Sequence, residues 1–338
     1  MVSKIKKGLI FAKKSIAEIY QPVCKAAVWP EVFDPLRRIS ESGLDLNIMS
    51  FNIRRGTARD GKNHWIFRRN RISELLNHFR PDVLGLQEAL DFQISEIGAM
   101  LPGYKKIGIG SLGDGKGLFN AIFYDAERFL PSEKGTFWFS DKPDIPGSKG
   151  WGNILPRTCT WARLIEKDSK QAFYFYNVHL DHISRRSQKN SIILLTRFIH
   201  MRSSPDPFVL TGDFNAREKS TPIRYLKGKI PLRIRAKGSV INPEPLMDTF
   251  RVRYPSVRHV STFHGFRSYF FRFKFDYIFV PSYVRVKDAI IIQPQWKKCY
   301  PSDHFPLFAN IDLSVDSAAK NAGAFIESEK DMTDKQVR

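Results

Sequence analysis

The sequence predicts an α/β fold, in which helices cover a mixed β-sheet or a pair of sheets. Three observations lead to this prediction. Apolar stretches of strand length alternate with stretches of helical spacing, several strand candidates end in polar residues, and neither an internal repeat nor a domain-sized linker interrupts the pattern. The 338 residues are enough to bury a substantial core in one large domain or two smaller ones.

The first half of the pattern begins with a strand candidate at residues 44–53, LDLNIMSFNI. Residues 64–79 place apolar side chains at helical spacing and stop before Pro81, because a residue that precedes proline is disfavoured in a helix. Residues 82–88, DVLGLQE, form a short apolar run typical of a buried strand. The other elements of this half are a helix around 92–100 and strands near 104–109 and 119–124.

The second half repeats the alternation from a strand at residues 158–165 onward. Residues 173–181, FYFYNVHLD, form a strand candidate, and residues 184–202 have the length and spacing of a long helix. Residues 208–215, FVLTGDFN, form the next strand candidate. The later strand candidates are residues 262–266, 275–280, 285–292 and 305–311.

The two ends of the chain differ from this pattern and flank a predicted domain at residues 41–314. Residues 1–40 form a basic N-terminal extension that we expect to pack as a helix on the domain, with a membrane surface as the alternative. Residues 315–338 are small, polar and mixed in charge, which is typical of a mobile C-terminal tail. The apolar residues of the extension are Ile5, Leu9, Ile16 and Ile19.

The composition limits the class of protein. No apolar run approaches the roughly 18 residues that span a bilayer, so we expect neither a transmembrane helix nor an ordinary secretory signal. Cys24, Cys159 and Cys299 are too few and too widely spaced for a disulfide framework or a zinc knuckle, which indicates a reducing compartment. A cytoplasmic monomer is therefore expected, with export by a specialised system as the alternative.

The chain is strongly basic, with a formal net charge of +20. Between residues 216 and 300 there are 18 Lys and Arg residues against only 5 acidic ones, so most of the excess lies in that quarter. Such a field attracts polyanions: nucleic acid, an anionic membrane or a phosphorylated metabolite. The alternative is a solvated surface whose charge keeps the protein soluble.

Polar side chains recur at the ends of the apolar strands, where open α/β sheets bind ligands. Each has a structural explanation by itself: Glu88 suits a helix N-terminus, the GDFN segment an Asx turn, and Asp303 an N-cap. Together they supply hard carboxylate oxygens for Mg²⁺ or Mn²⁺, amide donors for phosphate oxygens, and histidines for charge and proton handling. The set comprises Asn52, Glu88, His179, Asp213, Asn215, Asp303 and His304 at strand ends, and Asp276 inside an aromatic strand candidate.

The order N…QE…HLD…GDFN…DYIF…SDHFP resembles the endonuclease/exonuclease/phosphatase superfamily over about residues 44 to 313. This superfamily includes deoxyribonuclease I-like nucleases, exonuclease III-type repair enzymes, deadenylases, inositol polyphosphate 5-phosphatases and neutral sphingomyelinases. The blocks PRTCTWARL, HLDH, TFHGF and YPSDHFP look most like a bacterial branch of uncharacterised hydrolases. The resemblance implies a four-layer α/β sandwich, with two packed mixed sheets flanked by helices and the site at one edge.

The resemblance also implies a role for each residue of the set in a catalytic domain at 41–314. Glu88 binds Mg²⁺ or Mn²⁺ beside Asn52, with Asp303 as a further ligand. Asp213 orients or deprotonates the attacking water, and Asn215 holds a phosphate oxygen. The remaining roles are transition-state stabilisation by His304, its orientation by Asp276, and a second catalytic histidine at His179, where the repair enzymes have a tyrosine.

The substrate is less well determined, because function depends on the loops that a fold carries. Period-2 alternation in FRSYFFRFKFDYIFV places Arg272 and Lys274 on the face of Asp276, with phenylalanines on the other face. Basic and aromatic groups near the site favour a nucleic acid or nucleotide, and a solvated face over a phenylalanine core is the alternative. Three further candidates for substrate contacts are Arg157, His182 and His264.

The predicted function is therefore divalent-metal-dependent hydrolysis of a phosphodiester or phosphomonoester. A phosphoinositide or phospholipid is the alternative substrate, since a basic N-terminal helix also fits peripheral contact with an anionic membrane. Against the lipid, the sequence has no long apolar hairpin that enters a bilayer. A catalytically dead polyanion-binding module is the third alternative, and it is disfavoured because a degenerate enzyme is expected to have lost Glu88, Asp213 or His304.

Overall fold

The computed structural model describes residues 44–234, 238–267, 273–293 and 300–313. The predicted N-terminal extension at 1–40, the predicted tail at 315–338 and Arg272 lie outside these residues. Each helix in the described ranges is too short or too polar to span a bilayer. The predicted boundaries of the extension, the domain and the tail therefore stay predictions.

The secondary structure follows the predicted alternation. The helix α1 begins after His64, whose side chain accepts a hydrogen bond from the amide of Ile66, and it ends at Arg80, where a left-handed residue precedes Pro81. The elements of the first half are β1 (Asp45–Asn52), α1 (Trp65–Phe79), β2 (Val83–Gln87), α2 (Asp91–Met100), β3 (Tyr104–Ile107), β4 (Ile122–Asp125), β5 (Phe129–Trp138), β6 (Thr158–Glu166) and β7 (Ala172–His179). Those of the second half are α3 (Arg185–His200), β8 (Phe208–Asp213), α4 (Thr221–Leu226), β9 (Leu232–Ile234), β10 (Gly238–Val240), β11 (Leu246–Asp248), α5 (Thr249–Arg253), β12 (Asp276–Pro281), β13 (Arg285–Ile291) and β14 (Leu307–Asp312).

The strands form two mixed sheets of six strands each. The first sheet has the order β13-β14-β1-β2-β4-β3 and the second has the order β11-β12-β8-β7-β6-β5. Both are mixed because β1 pairs with β2 and β7 pairs with β8 in parallel, whereas their other neighbours run antiparallel. The predicted α/β fold with two sheets is confirmed.

Three apolar clusters fill the spaces between four layers. The cluster between the sheets includes Ile48 of β1 and Val209 of β8. The clusters on the outer faces include Leu75 of α1 against the first sheet and Leu195 of α3 against the second. The period-2 alternation of each strand therefore sends one set of side chains toward the other sheet and one set toward the helices.

The space between the sheets changes from apolar to polar toward one end of the sandwich. Asn177 of β7 accepts a hydrogen bond from the side chain of Gln87 at 2.7 Å and donates to the carbonyl oxygens of Leu86 and Ala121, both at 2.9 Å. Gly85 of β2 has no room for a side chain, since a Cβ there would lie 2.6 Å from Thr211 Oγ1. This buried polar layer joins the two sheets directly beneath the residues described next.

Two predicted elements differ from the structure. Residues 262–266 are not a strand but a loop, held by isolated bridges of Phe263 to Phe273 and to His304. The strand β12 begins only at Asp276, so the period-2 alternation drawn through Lys274 does not apply to the residues before it. The edge strand β5 is not predicted, because the segment PSEKG at residues 131–135 interrupts its apolar residues with proline, charged residues and glycine.

Candidate active site

Four polar residues at strand ends meet where the two sheets open. Asn52 ends β1, His179 ends β7 and Asp213 ends β8, while Asp276 begins β12. His179 and Asp276 are the register partners of Asp213 on its two sides. All four are buried, and each continues the face of its strand that points toward the other sheet.

Asp213 lies at the centre of this group. Its Oδ1 accepts a hydrogen bond from the amide of Asn215 at 2.8 Å, and its Oδ2 accepts one from Asn52 Nδ2 at 3.0 Å. The Nε2 atoms of His179 and His304 lie 3.6 and 3.8 Å from the same Oδ2. Burial and the nearby Asp276 carboxylate raise the pKa of Asp213, while the imidazolium of His304 opposes that rise.

His304 is fixed by Asp276, as the resemblance implies. Its Nδ1 lies 2.8 Å from Asp276 Oδ2, which leaves Nε2 facing Asp213. Burial disfavours the charged imidazole, but the carboxylates of Asp276 and Asp213 outweigh it and raise the pKa of His304 to about 10. His304 is therefore an imidazolium at neutral pH, with one N–H held by Asp276 and the other aimed into the site.

Glu88 and Asp303 bring two further carboxylates to the side of Asn52. Glu88 Oε1 accepts from Asn52 Nδ2 at 3.4 Å and Oε2 from the amide of Arg55 at 3.3 Å, so both contacts are long. Asp303 Oδ1 accepts from the hydroxyl of Ser302, and its Oδ2 lies 3.6 Å from Arg54 Nε. These weakly engaged hard oxygens fit a divalent cation such as Mg²⁺ or Mn²⁺.

A second group of donors, Asp213, Asp276 and His304, also lies close enough to hold a metal ion. Here Asp276 Oδ2 and His304 Nδ1 already engage each other at 2.8 Å. The carboxylate oxygens of Glu88 and Asp303 make longer contacts, of 3.2 to 3.6 Å. The predicted ligand group of Glu88, Asn52 and Asp303 remains the better candidate.

Three residues next to the strand ends have left-handed backbones without being glycine. Arg54, Glu88 and Asn215 have φ values of 60°, 63° and 47°. Such conformations cost free energy and cluster at functional sites. Their side chains all line the cleft described below.

Arg157 connects the two predicted histidines. Its Nη1 lies 3.2 Å from His179 Nε2 and its Nη2 lies 2.8 Å from His182 Nδ1. Its Nε is 3.6 Å from Asp181 Oδ1 and has no hydrogen-bond partner. Burial, together with the charge of Arg157, lowers the pKa of His179 well below its ordinary value, so His179 is neutral.

These residues line a cleft of about 520 Å³ at the mouth of the sandwich. The sequence-predicted residues in its wall are Glu88, Arg157, His179, His182, Asp213, Asn215, Asp303 and His304. The wall also contains residues that sequence reasoning missed: Arg54, Arg55, Leu118, Leu155, Phe263 and Phe275. The signal for the two arginines is their position two and three residues after Asn52 in MSFNIRRG.

Two predicted substrate contacts lie elsewhere. Lys274 is buried away from the cleft, where its Nζ donates to Asp248 Oδ2 at 2.8 Å and lies 3.5 Å from the ring centroid of Tyr277. The prediction that Lys274 leads toward the site is therefore wrong, because the extended strand starts after it. His264 is packed between Tyr300 and Phe305 behind the cleft wall, and burial lowers its pKa to about 3.

The chain is similar to proteins of known family and structure. Residues 49–304 match the model of the Endonuclease/Exonuclease/phosphatase family. An endonuclease/exonuclease/phosphatase from Bacteroides vulgatus superposes with a TM-score of 0.72 at 28% identity, over 80% of this chain and 100% of that one. A mannosyl-6-phosphatase from Bacteroides thetaiotaomicron gives 0.67 at 30% identity, over 79% and 99%. An uncharacterized protein of Acanthamoeba polyphaga mimivirus is 31% identical over 188 residues, which are 52% of this chain and 68% of that one.

Proposed function

Because the chain belongs to the endonuclease/exonuclease/phosphatase family, whose members are hydrolases of phosphate esters, we propose that it is a divalent-metal-dependent phosphoesterase. One observation carries the proposal. Asp213 has one carboxylate oxygen at the cleft wall, within 3.8 Å of an imidazolium that Asp276 holds in place. A carboxylate with a raised pKa beside a fixed cation is the pair that water attack on a phosphate requires.

The chain's own residues supply positioning and charge. Asp213 Oδ2 accepts a proton from, or orients, the attacking water, and its raised pKa makes it a stronger base than an ordinary aspartate. The Nε2–H of His304 donates to the phosphate oxygen on which negative charge develops. Asn215 donates one amide hydrogen to the carbonyl of Leu180 at 3.0 Å, which leaves its second hydrogen for phosphate.

A divalent cation fits the oxygens of Glu88, Asn52 and Asp303, and when bound it would neutralise phosphate charge and acidify water. Arg157 also lines the cleft, where it contacts both His179 and His182. Its guanidinium is suited to bind a phosphate oxygen that a cation held by Glu88, Asn52 and Asp303 does not reach.

The experiment compares wild type with Asp213→Asn in hydrolysis of p-nitrophenyl phosphate and bis-p-nitrophenyl phosphate, with and without Mg²⁺ or Mn²⁺. We expect metal-dependent turnover in the wild type and a loss of about a thousandfold in the variant. The control is Asp168→Asn, an exposed carboxylate in a turn. Near wild-type activity of Asp213→Asn, with unchanged circular dichroism, would refute the assignment.

The substrate class is open to a second experiment. Lys274 is buried and therefore no longer supports a nucleic-acid substrate. Phe263 and Phe275 in the cleft wall still support it, because they offer a surface on which a base stacks. The mannosyl-6-phosphatase relative makes a sugar phosphate the other soluble candidate. The panel comprises single-stranded RNA, poly(A), duplex DNA, NADP, inositol phosphates, mannose 6-phosphate and sphingomyelin. Turnover of lipid or sugar phosphate without attack on any nucleic acid or nucleotide would exclude the nucleic acid or nucleotide substrate that the sequence favours.

A further inference from the structure

Arg68 of α1 is a buried cation that makes hydrogen bonds to neutral groups alone within the described residues. Its side chain is 1% exposed, and its guanidinium carbon lies 5.5 Å from the ring centroids of both Trp65 and Phe266. Its hydrogen bonds all go to main-chain carbonyl oxygens. A fully buried arginine is usually paired with a carboxylate, so this one requires another explanation.

The carbonyls that Arg68 contacts belong to separate segments of the chain. Its Nη1 donates to the carbonyl of Ile53 at 2.9 Å and to that of Pro301 at 2.6 Å. Its Nη2 donates to the carbonyl of Arg54 at 3.4 Å, and its Nε to that of Asn63 at 2.6 Å. One guanidinium therefore joins the loop that follows β1 to the loop that precedes β14.

A second buried side chain holds the loop that follows β1. Gln93 of α2 is 0% exposed, and its Nε2 donates to the carbonyl of Arg54 at 3.1 Å. Its Oε1 accepts from the amide of Gly56 at 2.7 Å. The carbonyl of Arg54 thus receives donors from both α1 and α2, which stabilises the left-handed backbone of that residue against its conformational cost.

This loop in turn orients two of the candidate metal ligands. The amide of Arg54 donates to Asn52 Oδ1 at 3.0 Å, which directs Asn52 Nδ2 toward Asp213 and Glu88. The amide of Arg55 donates to Glu88 Oε2 at 3.3 Å. The positions of both ligands therefore depend on the backbone of residues 53–56.

The third candidate ligand depends on the other loop. Pro301, whose carbonyl accepts from Arg68, lies two residues before Asp303. Between them, Ser302 Oγ donates to the carbonyl of Asn52 at 2.6 Å and lies 3.2 Å from Asp303 Oδ1. The contacts of Arg68 and Ser302 thus fix where Asp303 lies relative to Asn52.

The charge of Arg68 also acts on this group. Burial lowers the pKa of Arg68 to about 10, while the carboxylates of Asp303, Asp60 and Glu88 oppose the fall. The guanidinium therefore stays protonated at neutral pH. A fixed positive charge near Glu88 and Asp303 favours the ionised form of both carboxylates.

We propose that Arg68 is a positioning residue for the candidate metal site. It holds the loops at 53–56 and 301–303 together, so that the oxygens of Asn52, Glu88 and Asp303 converge before a cation binds. Groups that orient metal ligands in this way typically change metal affinity 10- to 100-fold when they are replaced. The proposal rests on the metal-dependent phosphoesterase function and adds a residue that acts through its ligands.

The test is titration of the metal-free full-length protein with Mn²⁺ in a calorimeter. Arg68→Lys keeps the charge but offers its donors from a single nitrogen, which cannot reproduce the fork that spans both loops. Gln93→Leu removes the second donor to the carbonyl of Arg54 without any change in charge. We expect each variant to bind Mn²⁺ at least about tenfold more weakly than wild type.

The matched control is Arg128→Lys, at the end of the sandwich opposite the cleft. Arg128 is also an interior arginine, and its Nη2 donates to the carbonyl of Asp45 at 2.8 Å while its Nη1 lies 2.9 Å from Asp82 Oδ1. We expect this control to lose stability but to bind Mn²⁺ like wild type. An equal loss of Mn²⁺ affinity in the control would overturn the proposal, because general loosening would then explain the effect.

Two further results would overturn the role of Arg68. One is Mn²⁺ affinity that is the same in wild type, Arg68→Lys and Gln93→Leu, and the other is a wild type that binds no Mn²⁺. If circular dichroism shows that Arg68→Lys does not fold, Gln93→Leu decides alone, since it disturbs the same loop and leaves the guanidinium in place.

The proposal and the phosphoesterase function fail in different ways. Hydrolysis of bis-p-nitrophenyl phosphate is measured over a range of Mn²⁺ concentrations, and we expect Arg68→Lys to need more Mn²⁺ for half-maximal rate. Mn²⁺ binding that depends on Arg68, without hydrolysis of any phosphate ester, supports the positioning role and refutes the enzyme. Metal-dependent hydrolysis with unchanged Mn²⁺ affinity in both variants refutes the positioning role and supports the enzyme.

Discussion

The buried ion pair of Lys274 and Asp248 tests whether Lys274 belongs to the interior and not to the cleft. Their side chains are 1% and 0% exposed, so Lys274→Met leaves the Asp248 carboxylate in the interior without its closest cation. Breaking such a pair from one side costs about 3–5 kcal/mol. Lys227 Nζ remains 3.5 Å from the same oxygen, so we expect the lower end, about 3 kcal/mol.

The assay is urea unfolding followed by circular dichroism, together with kcat/KM on a soluble phosphate ester. With an m-value of about 3 kcal/mol/M, the midpoint of Lys274→Met falls by about 1 M. The catalytic efficiency per folded molecule is expected to stay unchanged, since Lys274 does not line the cleft.

Two further variants separate charge from packing. Lys227→Met removes the longer contact of a partly exposed cation and is expected to cost less than about 1 kcal/mol. Asp248→Asn combined with Lys274→Met is expected to regain part of the lost stability, because no unpaired buried charge remains. An unchanged midpoint for Lys274→Met with a clear fall in kcat/KM would show that Lys274 faces substrate and that the reasoning is wrong.

Three other outcomes follow from the site. In metal-free protein, NMR of the imidazole nitrogens is expected to show that His304 is protonated at pH 7 and loses its proton only near pH 10. The same spectra are expected to show a neutral His179 at pH 7. A neutral His304 at pH 7 would contradict the ion pair with Asp276. Asn177→Ala removes the side-chain donor to the carbonyl oxygens of Leu86 and Ala121, of which the second keeps the amide of Leu86, so the free energy of unfolding is expected to fall by about 1–3 kcal/mol. We expect kcat to change more than KM, and a stability loss with unchanged kcat would limit the polar layer to packing. Removal of metal by EDTA is expected to abolish hydrolysis, with recovery on adding Mg²⁺ or Mn²⁺ and not Na⁺; activity that survives EDTA contradicts metal dependence.

Much of the site was predictable from sequence because it depends on strand periodicity. Asn52, His179 and Asp213 lie at even spacing from apolar residues that face the other sheet, so the alternation alone carries them to one end of the sandwich. The order of motifs then assigns them to a family without any knowledge of contacts.

The residues that escaped prediction lie where this periodicity stops. Arg54 leaves β1 through a left-handed backbone, so no strand or helix rule fixes the direction of its side chain. Lys274 precedes β12, and its partner Asp248 is distant in sequence. Leu118 and Leu155 line the cleft from two loops that are far apart in the chain and that follow neither the helix nor the strand period.

The position of β14 has a consequence for biosynthesis. β14 lies between β13 and β1 in the first sheet, and it pairs with β1 from Asp45↔Asp312 to Ser50↔Leu307. β1 leaves the ribosome before the other strands of the two sheets, yet β14, the partner for one of its edges, is made after all of them. Until then β1 presents an open, apolar edge that invites mispairing. The loop that carries Asp303 and His304 emerges just before β14, so the sandwich closes and its cleft is completed at nearly the same moment of synthesis.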